Sequence, residues 1–236
     1  MKYGRFQRDD KGEIKKRDLY PAIGSLEKIQ NRLYRFLQQI ELPSYAYGSV
    51  KAKDNIQNAL QHRHNKYFLS VDLKNFFPNI THRQIFHMFR CRGFSPDVSQ
   101  LLTKLTTYKG GLLQGPATSP VLANLVFVDT GMKLQQIAEK YNLTFTAYLD
   151  DLTFSSKSDF KHVISDILKE IQMSGFILNH KKIKYKTYFP EVTGIFIYKG
   201  ALLVHPDTLY RAMVNSRTKD YIKRVFAHNK PCSKLN

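Results

Sequence analysis

The sequence predicts an α+β protein built on a split βαβ sheet, and the order of its apolar runs supports this prediction. Residues 67–73 (YFLSVDL) are a short run of apolar, aromatic and branched residues, which is typical of a buried strand. Residues 144–149 and 152–155 are two further β-prone runs, separated only by Asp150 and Asp151, and they predict a hairpin. Helical patterns lie between and after these strands, so the order is strand, helix, hairpin, helix, strand.

Apolar spacing and capping residues predict the first helices. Residues 25–40 carry apolar side chains at three- and four-residue spacings. Thr81 followed by Gln84 is a capping box, which predicts a helix start. Ser119 and Pro120 predict another start, with serine as the cap and proline in the first turn.

The hairpin is followed by a second set of elements. Asp159 is the expected cap of an amphipathic helix, and residues 183–189 return as a strand. Residues 192–198 and 201–204 predict another hairpin, and a basic helical segment extends over residues 208–226.

The composition favours a polyanionic partner. The chain has 236 residues, 42% of them hydrophobic, which is enough for one domain or two joined subdomains. Its formal net charge of +18 suits nucleic acid or an anionic membrane. Because the basic residues are spread along the chain rather than gathered on one amphipathic helix, nucleic acid is favoured. Ribosomal and histone-like proteins have similar charge, so the charge selects a class of partner and no chemistry.

Targeting signals and disulfide patterns are not evident in the sequence. The amino terminus lacks the apolar core of a signal peptide, and the longest apolar run, residues 120–128, is too short to span a bilayer. We therefore expect a cytoplasmic protein with no membrane association. Cys91 and Cys232 are too few for a disulfide framework and are expected to be free thiols.

Three aspartates are candidates for a metal site. Asp72 ends the first predicted strand, and Asp150 and Asp151 lie at the hairpin, so adjacent strands could bring them together. Magnesium prefers oxygen ligands, and two ions about 3.5 to 4 Å apart can hold the attacking and leaving oxygens of a nucleotidyl transfer. A bare Asp-Asp pair is also ordinary turn chemistry. The neighbouring residues must therefore decide between a metal site and a simple turn.

Four stretches resemble the motifs of reverse transcriptases, in that family's order. Residues 69–80 (LSVDLKNFFPNI) resemble the first catalytic motif, and residues 113–120 (LQGPATSP) resemble the QGxxxSP motif. Residues 147–154 (AYLDDLTF) resemble the YxDD box, and residues 175–182 (GFILNHKK) resemble the lysine-bearing motif that follows it. The resemblance extends over residues 17–204.

Two shorter elements resemble retron enzymes in particular. Residues 58–62 (NALQH) match an NAxxH element, and residues 192–194 match a VTG element. The resemblance therefore implies a bacterial retron-type reverse transcriptase, related to those of group II introns. It also implies right-hand polymerase fingers and palm, with a split βαβ (ferredoxin-like) palm sheet and a short or truncated thumb.

The resemblance divides the chain into three parts. Residues 1–66 would be the N-terminal part of the fingers. Residues 67–204 would be the palm, with the rest of the fingers inserted at about residues 79–115. Residues 205–236 would be a short, thumb-like helical tail, so the grip on the template would be weak or shared with a partner.

The resemblance also assigns roles to the acids and to one lysine. Asp72 and Asp150 would bind both Mg²⁺ ions, for which Mn²⁺ is a substitute, and Asp151 would be a weaker ligand or an outer partner. Lys182 would be the general acid for the pyrophosphate leaving group, with Lys181 as the alternative.

Other residues would bind the nucleotide or the nucleic acid. The predicted nucleotide-binding residues are Arg17, Leu73, Phe77, Gln114 and Gly115. The predicted nucleic-acid-binding residues are Tyr148, Leu149, Lys219 and Lys223. Arg17 could equally be a solvated surface residue. The ring of Phe77 would clash with a ribose 2′-hydroxyl and so favour DNA as the product, whereas Phe76 is expected to be a core aromatic. Leu149 departs from the family, which usually has alanine there, and this puts selectivity in doubt.

The resemblance implies RNA-templated DNA synthesis from deoxynucleoside triphosphates. A noncoding RNA would be the template and an RNA–DNA hybrid the product, and both would act in phage defence with an effector protein as a further partner. The alternatives are another defence-associated reverse transcriptase, an RNA polymerase on the same palm, and a non-catalytic RNA-binding palm subunit. A group II intron protein fits poorly, because we expect no room for its maturase region.

Overall fold

The computed structural model describes residues 3–8 and 14–229, with the side chains described from residue 19 onward. In chain order, the described elements are β1 (Tyr3–Arg8), β2 (Ile14–Leu19), α1 (Gly24–Leu37), α2 (Asn55–His62), β3 (Tyr67–Asp72), α3 (Phe76–Asn79), α4 (His82–Cys91), α5 (Pro96–Thr106), β4 (Thr107–Tyr108), β5 (Gly111–Leu112), α6 (Thr118–Lys140), β6 (Thr144–Tyr148), β7 (Asp151–Ser156), α7 (Ile164–Met173), β8 (Lys184–Lys186), β9 (Glu191–Val192), β10 (Ile195–Tyr198), β11 (Ala201–Val204), α8 (Pro206–Val214) and α9 (Ser216–Ala227). None of the helices in these residues is long and apolar enough to cross a membrane.

The chain forms two compact units. The first consists of Met1–Pro43 and Lys74–Thr130, and the second consists of Ser44–Leu73 and Gly131–Asn236. Helix α6 begins in the first unit and ends in the second, because the division falls after Thr130.

The second unit is built on a four-stranded antiparallel sheet with the strand order β6-β7-β3-β8. In this order β3 lies between the hairpin β6–β7 and the returning strand β8, which is the arrangement of a split βαβ sheet. The centre of the sheet is apolar, since Leu69, Val71 and Phe154 are almost completely buried. Helix α7 contributes the buried side chains of Ile167 and Ile171. The predicted α+β class and palm-like sheet are confirmed.

A smaller three-stranded sheet, in the order β11-β10-β9, completes the second unit. Its apolar side chains share one core with helices α2 and α9 and with strand β3. The buried members of this core are Ile56, Ala59, Phe68, Val192, Ile195, Ile197, Leu202, Val204 and Val225. The helical tail is therefore anchored on the sheet through Val225.

Helices dominate the first unit, and their ends follow the local sequence. Thr81 caps α4 and forms a capping box with Gln84, as predicted. Ser95 caps α5, and Pro96 occupies its first turn. The amide of the buried Gln30 side chain donates a hydrogen bond of 2.7 Å to the carbonyl of Leu105, which connects α1 to α5. Strands β1 and β2 pair antiparallel in the same unit.

The structure corrects several predicted boundaries before the hairpin and within it. Helix α6 begins at Thr118, so Ser119 lies inside its first turn and is not the cap. Asp151 is the first residue of β7 and pairs with Tyr148, so the loop of the hairpin consists of Leu149 and Asp150. The predicted hairpin is present, with Asp150 in its turn and Asp151 beside it, and each predicted strand bound at the turn is shifted by one residue because pairing continues as far as Asp151.

The later boundaries also differ from the predictions. A 3-10 turn, Lys161–Val163, precedes α7, and the carboxylate of Asp159 accepts a hydrogen bond from the Lys161 amide. The strand expected at residues 183–189 is limited to β8. The single basic helix expected at residues 208–226 is two helices, because the backbone of Asn215 is extended and its side chain caps α9.

Candidate active site

The three aspartates meet at one end of the four-stranded sheet. Asp72 is the last residue of β3, and its cross-strand partner on β7 is Asp151. Residues paired in this way on an antiparallel sheet have neighbouring side chains. The amide of Leu73 donates a hydrogen bond of 2.9 Å to the carbonyl of Asp150, which ties the end of β3 to the hairpin loop. The site is therefore built on paired backbone rather than on free loops.

The hairpin loop is tightly constrained. Leu149 has a positive φ of 58°, a conformation that costs an L-residue about 1 kcal/mol or more. Gly48 approaches the loop so closely that a Cβ atom at this position would lie 2.7 Å from the amide nitrogen of Leu149 and 2.8 Å from the carbonyl carbon of Tyr148. Only a glycine fits at this contact, so the segment around Gly48 supports the loop from one side.

Both carboxylate oxygens of Asp72 have polar partners. The side-chain amide of Asn179 donates a hydrogen bond of 2.7 Å to Oδ1, and the Lys182 ammonium lies 2.9 Å from Oδ2. The Asn179 backbone amide also donates to the carbonyl of Asp72 at 2.9 Å. A 3-10 turn, His180–Lys182, places the asparagine and the lysine on the same carboxylate. Asn179 was not predicted as a site residue, although it lies in the same short motif as Lys182.

The charges of the acids interact. Desolvation raises the pKa of the Asp151 carboxyl group, and the neighbouring charges of Asp150 and Asp72 raise it further, to about 7, while Lys182 opposes the shift. Asp151 is exposed at the surface, which limits the desolvation. The repulsion between carboxylates is therefore the part of this shift that a bound cation would relieve.

A metal ion bound at this end of the four-stranded sheet would be held by the aspartate carboxylates. Among the described residues, no three histidine, cysteine or acidic side chains come close enough in this conformation to hold one ion together. Asp72 has one partner at each oxygen, but a carboxylate oxygen can accept more than one contact. Carboxylates from two adjacent strands provide the oxygen ligands that magnesium prefers, with waters completing its shell.

Several predicted nucleotide-binding residues belong to the first unit. The carbonyl of Gln114 accepts a hydrogen bond of 2.7 Å from the Tyr20 amide. Gly115 has a φ of 121°, and a Cβ atom there would lie 3.0 Å from the backbone of Tyr20 and Pro21. Arg17 lies on β2, and its side chain is outside the described part of the chain. The geometry at Gln114 and Gly115 is therefore held by backbone contacts that leave no room for larger residues at the glycine.

The two adjacent phenylalanines of the first unit differ in burial. Phe76 is 3% exposed, and its ring contacts Phe127 at a centroid distance of 6.2 Å. Phe77 is only half-buried, with its ring 5.7 Å from that of Phe76. The prediction that Phe76 is a core aromatic is consistent with this burial, while the role of Phe77 stays a prediction.

The remaining predicted residues lie in the second unit. Leu73 is buried directly after β3, and Tyr148 and Leu149 are half-buried at the hairpin. Lys219 and Lys223 are exposed on α9, where Lys223 lies 3.3 Å from Asp220. They are not among the residues that contact the three aspartates.

Helix α2 connects the two short elements that resembled retron enzymes. The Asn58 side chain donates a hydrogen bond of 3.2 Å to the hydroxyl of Thr193, in the turn between β9 and β10. The Asn55 side chain donates to the carbonyl of Thr193 at 3.1 Å and to the hydroxyl of Tyr221 on α9 at 2.8 Å. Asn58 of the NAxxH element and Thr193 of the VTG element therefore contact each other directly. Asn55 and Tyr221 were not predicted, since nothing in the local sequence connects them.

His62 fixes α2 to the sheet. Its ring nitrogens lie 2.6 Å from the hydroxyl of Ser155 and 2.8 Å from the hydroxyl of Thr146, on β7 and β6. The side chain is completely buried, and this desolvation lowers the pKa of the imidazole to about 3. His62 is therefore a neutral structural group beneath the hairpin that carries the acids.

Comparison with known proteins identifies the family to which the chain belongs. The family described as reverse transcriptase (RNA-dependent DNA polymerase) matches residues 25–222. The chain is 33% identical over 203 residues to the retron Ec86 reverse transcriptase of Escherichia coli, covering 84% of this chain and 63% of that protein. It is 31% identical over 161 residues to the retron Se72 reverse transcriptase of Salmonella heidelberg, covering 67% of this chain and 42% of that protein. The chain thus spans less than two thirds of these relatives.

Solved structures with a similar fold are much more distant in sequence. Telomerase from Candida albicans, solved with a fragment of telomeric RNA, gives a TM-score of 0.55 at 9% identity, over 76% of this chain and 39% of that one. A foamy viral protease-reverse transcriptase bound to double-stranded DNA gives a TM-score of 0.50 at 18% identity, over 94% of this chain and 34% of that one. These similarities show the fold alone, and they agree with the predicted fingers and palm.

Proposed function

The chain belongs to the reverse transcriptase family, whose model matches residues 25–222, and on this premise we propose that it is an RNA-directed DNA polymerase of the retron type. The observation that carries the proposal is the pairing of Asp72 with Asp151 across β3 and β7, beside the loop that holds Asp150. Its 33% identity to a retron reverse transcriptase supports the retron assignment. The template would be a noncoding RNA, the substrates deoxynucleoside triphosphates, and the product an RNA–DNA hybrid.

In this proposal Asp72 and Asp150 hold two Mg²⁺ ions, with Asp151 as a weaker ligand or an outer partner. Desolvation raises the pKa of Asp151 most, and the further rise caused by the charges of Asp150 and Asp72 supports a cation at this place. The ions would supply charge stabilisation at the attacking and leaving oxygens, and Mn²⁺ would substitute for Mg²⁺. The hydrogen bond from the Leu73 amide to the Asp150 carbonyl would keep the two strand ends aligned during the reaction.

The side chains around the acids would position the substrates and move one proton. Lys182 Nζ would leave Asp72 Oδ2 and donate a proton to the leaving pyrophosphate. The backbone at Leu73 would face the triphosphate, and Tyr148 and Leu149 would lie beneath the primer end. Gln114, Gly115 and Arg17 would bind the incoming nucleotide, and Lys219 and Lys223 would contact the backbone of the nucleic acid.

The whole protein would act in the cytoplasm in phage defence, with an effector protein as its partner. We further propose that residues 1–66 are the N-terminal part of the fingers and that residues 67–204 are the palm, which carries the remaining fingers at about 79–115. Residues 205–236 would be thumb-like and helical.

The central experiment measures deoxynucleotide incorporation on a primed RNA, and on any RNA that co-purifies, with magnesium present. Asp150→Asn should abolish incorporation, because it removes a charged ligand and keeps the size of the side chain. Asp166→Asn is the matched control, since Asp166 is an exposed acid on α7 and should leave the rate unchanged. If the unmodified protein binds RNA but incorporates nothing, the chain is a non-catalytic RNA-binding subunit.

A second experiment tests the preference for deoxynucleotides. The half-buried ring of Phe77 would exclude the ribose 2′-hydroxyl, so Phe77→Val should raise the relative incorporation of ribonucleotides about tenfold or more. Phe76→Leu serves as the comparison, because it alters a buried ring and should reduce stability without changing the sugar preference. A wild-type protein that prefers ribonucleotides would be an RNA polymerase.

A further inference from the structure

A cavity lies in the second unit at the opposite end of β3 from Asp72. Its volume is about 430 Å³, within the range of pockets that bind small ligands. One wall is the turn from Arg63 to Lys66 that leads into β3, and the other includes Tyr188, Tyr198 and Lys199. Because β3 rises about 3.3 Å per residue, Asp72 is roughly 20 Å from Lys66 and about 13 Å from Phe68, which both line the cavity. The cavity is therefore separate from the candidate active site.

The wall of the cavity contains a cluster of aromatic rings. The ring centroids of Tyr188 and Tyr198 are 5.9 Å apart at an angle of 83°, and that of Phe189 lies 5.5 Å from Tyr198. Tyr188 is 72% exposed, although a large aromatic side chain gains free energy when it is covered. This exposure leaves the Tyr188 ring accessible, and an accessible aromatic ring beside a cavity can stack on a nucleobase.

Every charged side chain that lines the described cavity is basic. Lys66 and Lys199 are both exposed, and neither has an acidic partner among the described ion pairs. Arg63 is held in place, since it donates hydrogen bonds of 3.0 and 2.8 Å to the carbonyl of Gly200. The guanidinium charge of Arg63 therefore stays in the cavity wall, and its hydrogen bonds to Gly200 fix the turn that carries Lys199. His64 also lies at this rim.

The positions of the rings and the cations complement single-stranded nucleic acid. Stacked bases need exposed aromatic faces, and the sugar-phosphate backbone needs nearby cations, which is how sequence-tolerant single-strand sites are built. A duplex presents its bases stacked on each other, so an open ring such as Tyr188 would have no base face to contact. An acidic peptide would use the cations but would leave the rings unused. A single strand makes use of both.

We propose that this cavity is a second binding site for single-stranded nucleic acid, in which a base stacks on Tyr188 and the adjacent phosphates contact Lys66 and Lys199. This inference rests on the proposed function for its class of ligand, but it needs neither metal nor synthesis. The site would hold a strand that enters or leaves the protein about 13 to 20 Å from Asp72.

The first test measures the binding of a fluorescent single-stranded uridine oligonucleotide of about a dozen nucleotides in magnesium-free buffer. The double variant Lys66→Glu, Lys199→Glu should weaken binding about tenfold and reduce the salt dependence of log K by more than one, since about 0.7 is expected per phosphate contact. Tyr188→Ala should weaken binding about fivefold through lost stacking. Tyr188 is exposed, so this variant should fold normally.

A matched control separates the site from general basic charge. Lys140 lies 5.1 Å from the ring centroid of Tyr141 on the same unit, as Lys199 lies 5.5 Å from that of Tyr198. Lys140 is exposed and does not line the cavity, so Lys140→Glu should change the affinity much less than Lys199→Glu. Equal losses from the two single variants would overturn the proposal, because the oligonucleotide would then respond to net charge alone.

Photo-crosslinking locates the strand. An oligonucleotide that carries 4-thiouridine should crosslink to a peptide containing Tyr188 or Tyr198, and the crosslink should be lost with Tyr188→Ala and Lys199→Glu combined. Crosslinks confined to other parts of the chain would overturn the proposal.

Uridine monophosphate is the competitor that distinguishes a strand from a free nucleotide. The proposal would also be overturned if uridine monophosphate displaced the oligonucleotide when added at a concentration equal to the one at which the oligonucleotide half-saturates the protein.

The same crosslink is measured in the Asp150→Asn variant. If that variant and the wild type both crosslink at Tyr188 while neither synthesises DNA, the proposed polymerase activity fails and the second site stands. If the wild type synthesises DNA but never crosslinks at the cavity, only the second site fails.

Discussion

Lys182 and Asp72 form an ion pair, with 2.9 Å between Nζ and Oδ2, at the centre of the candidate active site. The Asp72 side chain is only 13% exposed, whereas the lysine is 47% exposed and reaches it from the surface. A cation that binds Asp72 competes with the ammonium for the same carboxylate. The lysine therefore neutralises the acid when no metal is bound, and metal binding would release it towards the leaving group.

The first prediction concerns this competition. Lys182→Met should tighten Mg²⁺ binding, because it removes a competing charge, and should slow nucleotide incorporation at saturating magnesium about a hundredfold through loss of the proton donor. The measurements are magnesium titration and the rate at saturating magnesium. Lys181→Met is the control, since Lys181 is exposed on the same turn and has no described contact with Asp72. A larger loss of rate from the Lys181 variant would make Lys181 the proton donor.

The second prediction concerns the contact between Asn58 and Thr193. Asn58 is buried, and its amide donates to the threonine hydroxyl, so Asn58→Ala should lower the free energy of unfolding by about 1 to 3 kcal/mol. In a double-mutant cycle with Thr193→Val, the losses should be non-additive by about 1 kcal/mol. Urea unfolding of the four proteins measures this coupling. Fully additive losses would mean that the two residues act independently.

The third prediction is a pH dependence of stability. The pKa of His62 is about 3 in the folded protein, compared with about 6.5 in an unfolded chain, so the unfolded state takes up a proton first as the pH falls. Stability should be greatest above pH 6.5 and should decrease as the pH falls towards 3. At pH 5 this group alone should cost about 2 kcal/mol.

The pH effect of His62 can be isolated with His62→Gln, which removes the titratable group. The difference in free energy of unfolding between the wild type and this variant should shrink between pH 7.5 and pH 5. Other groups, including Asp151, titrate in both proteins and largely cancel in this difference. A difference that is constant with pH would show that His62 is accessible to protons in the folded state.

The fourth prediction concerns the glycine behind the hairpin loop. Gly48→Ala would place a methyl group against the backbone of Leu149, and such overpacking costs about 1 to 3 kcal/mol when the surroundings cannot move. We expect a shifted Asp150 loop and a fall of tenfold or more in the rate of synthesis. Ser49→Ala, at the exposed neighbour, should retain the rate. Equal rates for both variants would show that the loop adapts.

Local sequence predicted some of the elements that rest on local physics and could have predicted others. The apolar run ending in Asp72 predicted β3, and the Thr81 capping box predicted α4. The same reasoning would have found α5, because Ser95 and Pro96 repeat the start signal seen at Ser119 and Pro120, but that helix was not predicted. Helix α2 also begins with a capping box, formed by Asp54 and Gln57, and it was not predicted either, although its last five residues were noted as the NAxxH element.

Contacts between distant residues could not be predicted. Asn179 and Asp72 are 107 positions apart, and Asn55 and Tyr221 are 166 apart, so no periodicity or capping pattern records that they meet. The break at Asn215 was missed because it has neither glycine nor proline to mark it. The position of Asp151 in the strand depended on how far β6 and β7 pair, which an Asp-Asp sequence leaves open. Motifs identified the acids, and tertiary packing determined their partners.

Helix α2 has an evolutionary consequence. Because the Asn58 amide donates to the Thr193 hydroxyl, a change at Asn58 in the NAxxH element or at Thr193 in the VTG element removes this contact, whereas Asn55 binds the backbone carbonyl of Thr193 and would keep its contact. Substitutions at the two positions should therefore arise together in the lineage of this protein, although 135 residues separate Asn58 from Thr193. An alignment of its nearest relatives should show this covariation more clearly than it shows covariation between adjacent residues of either motif.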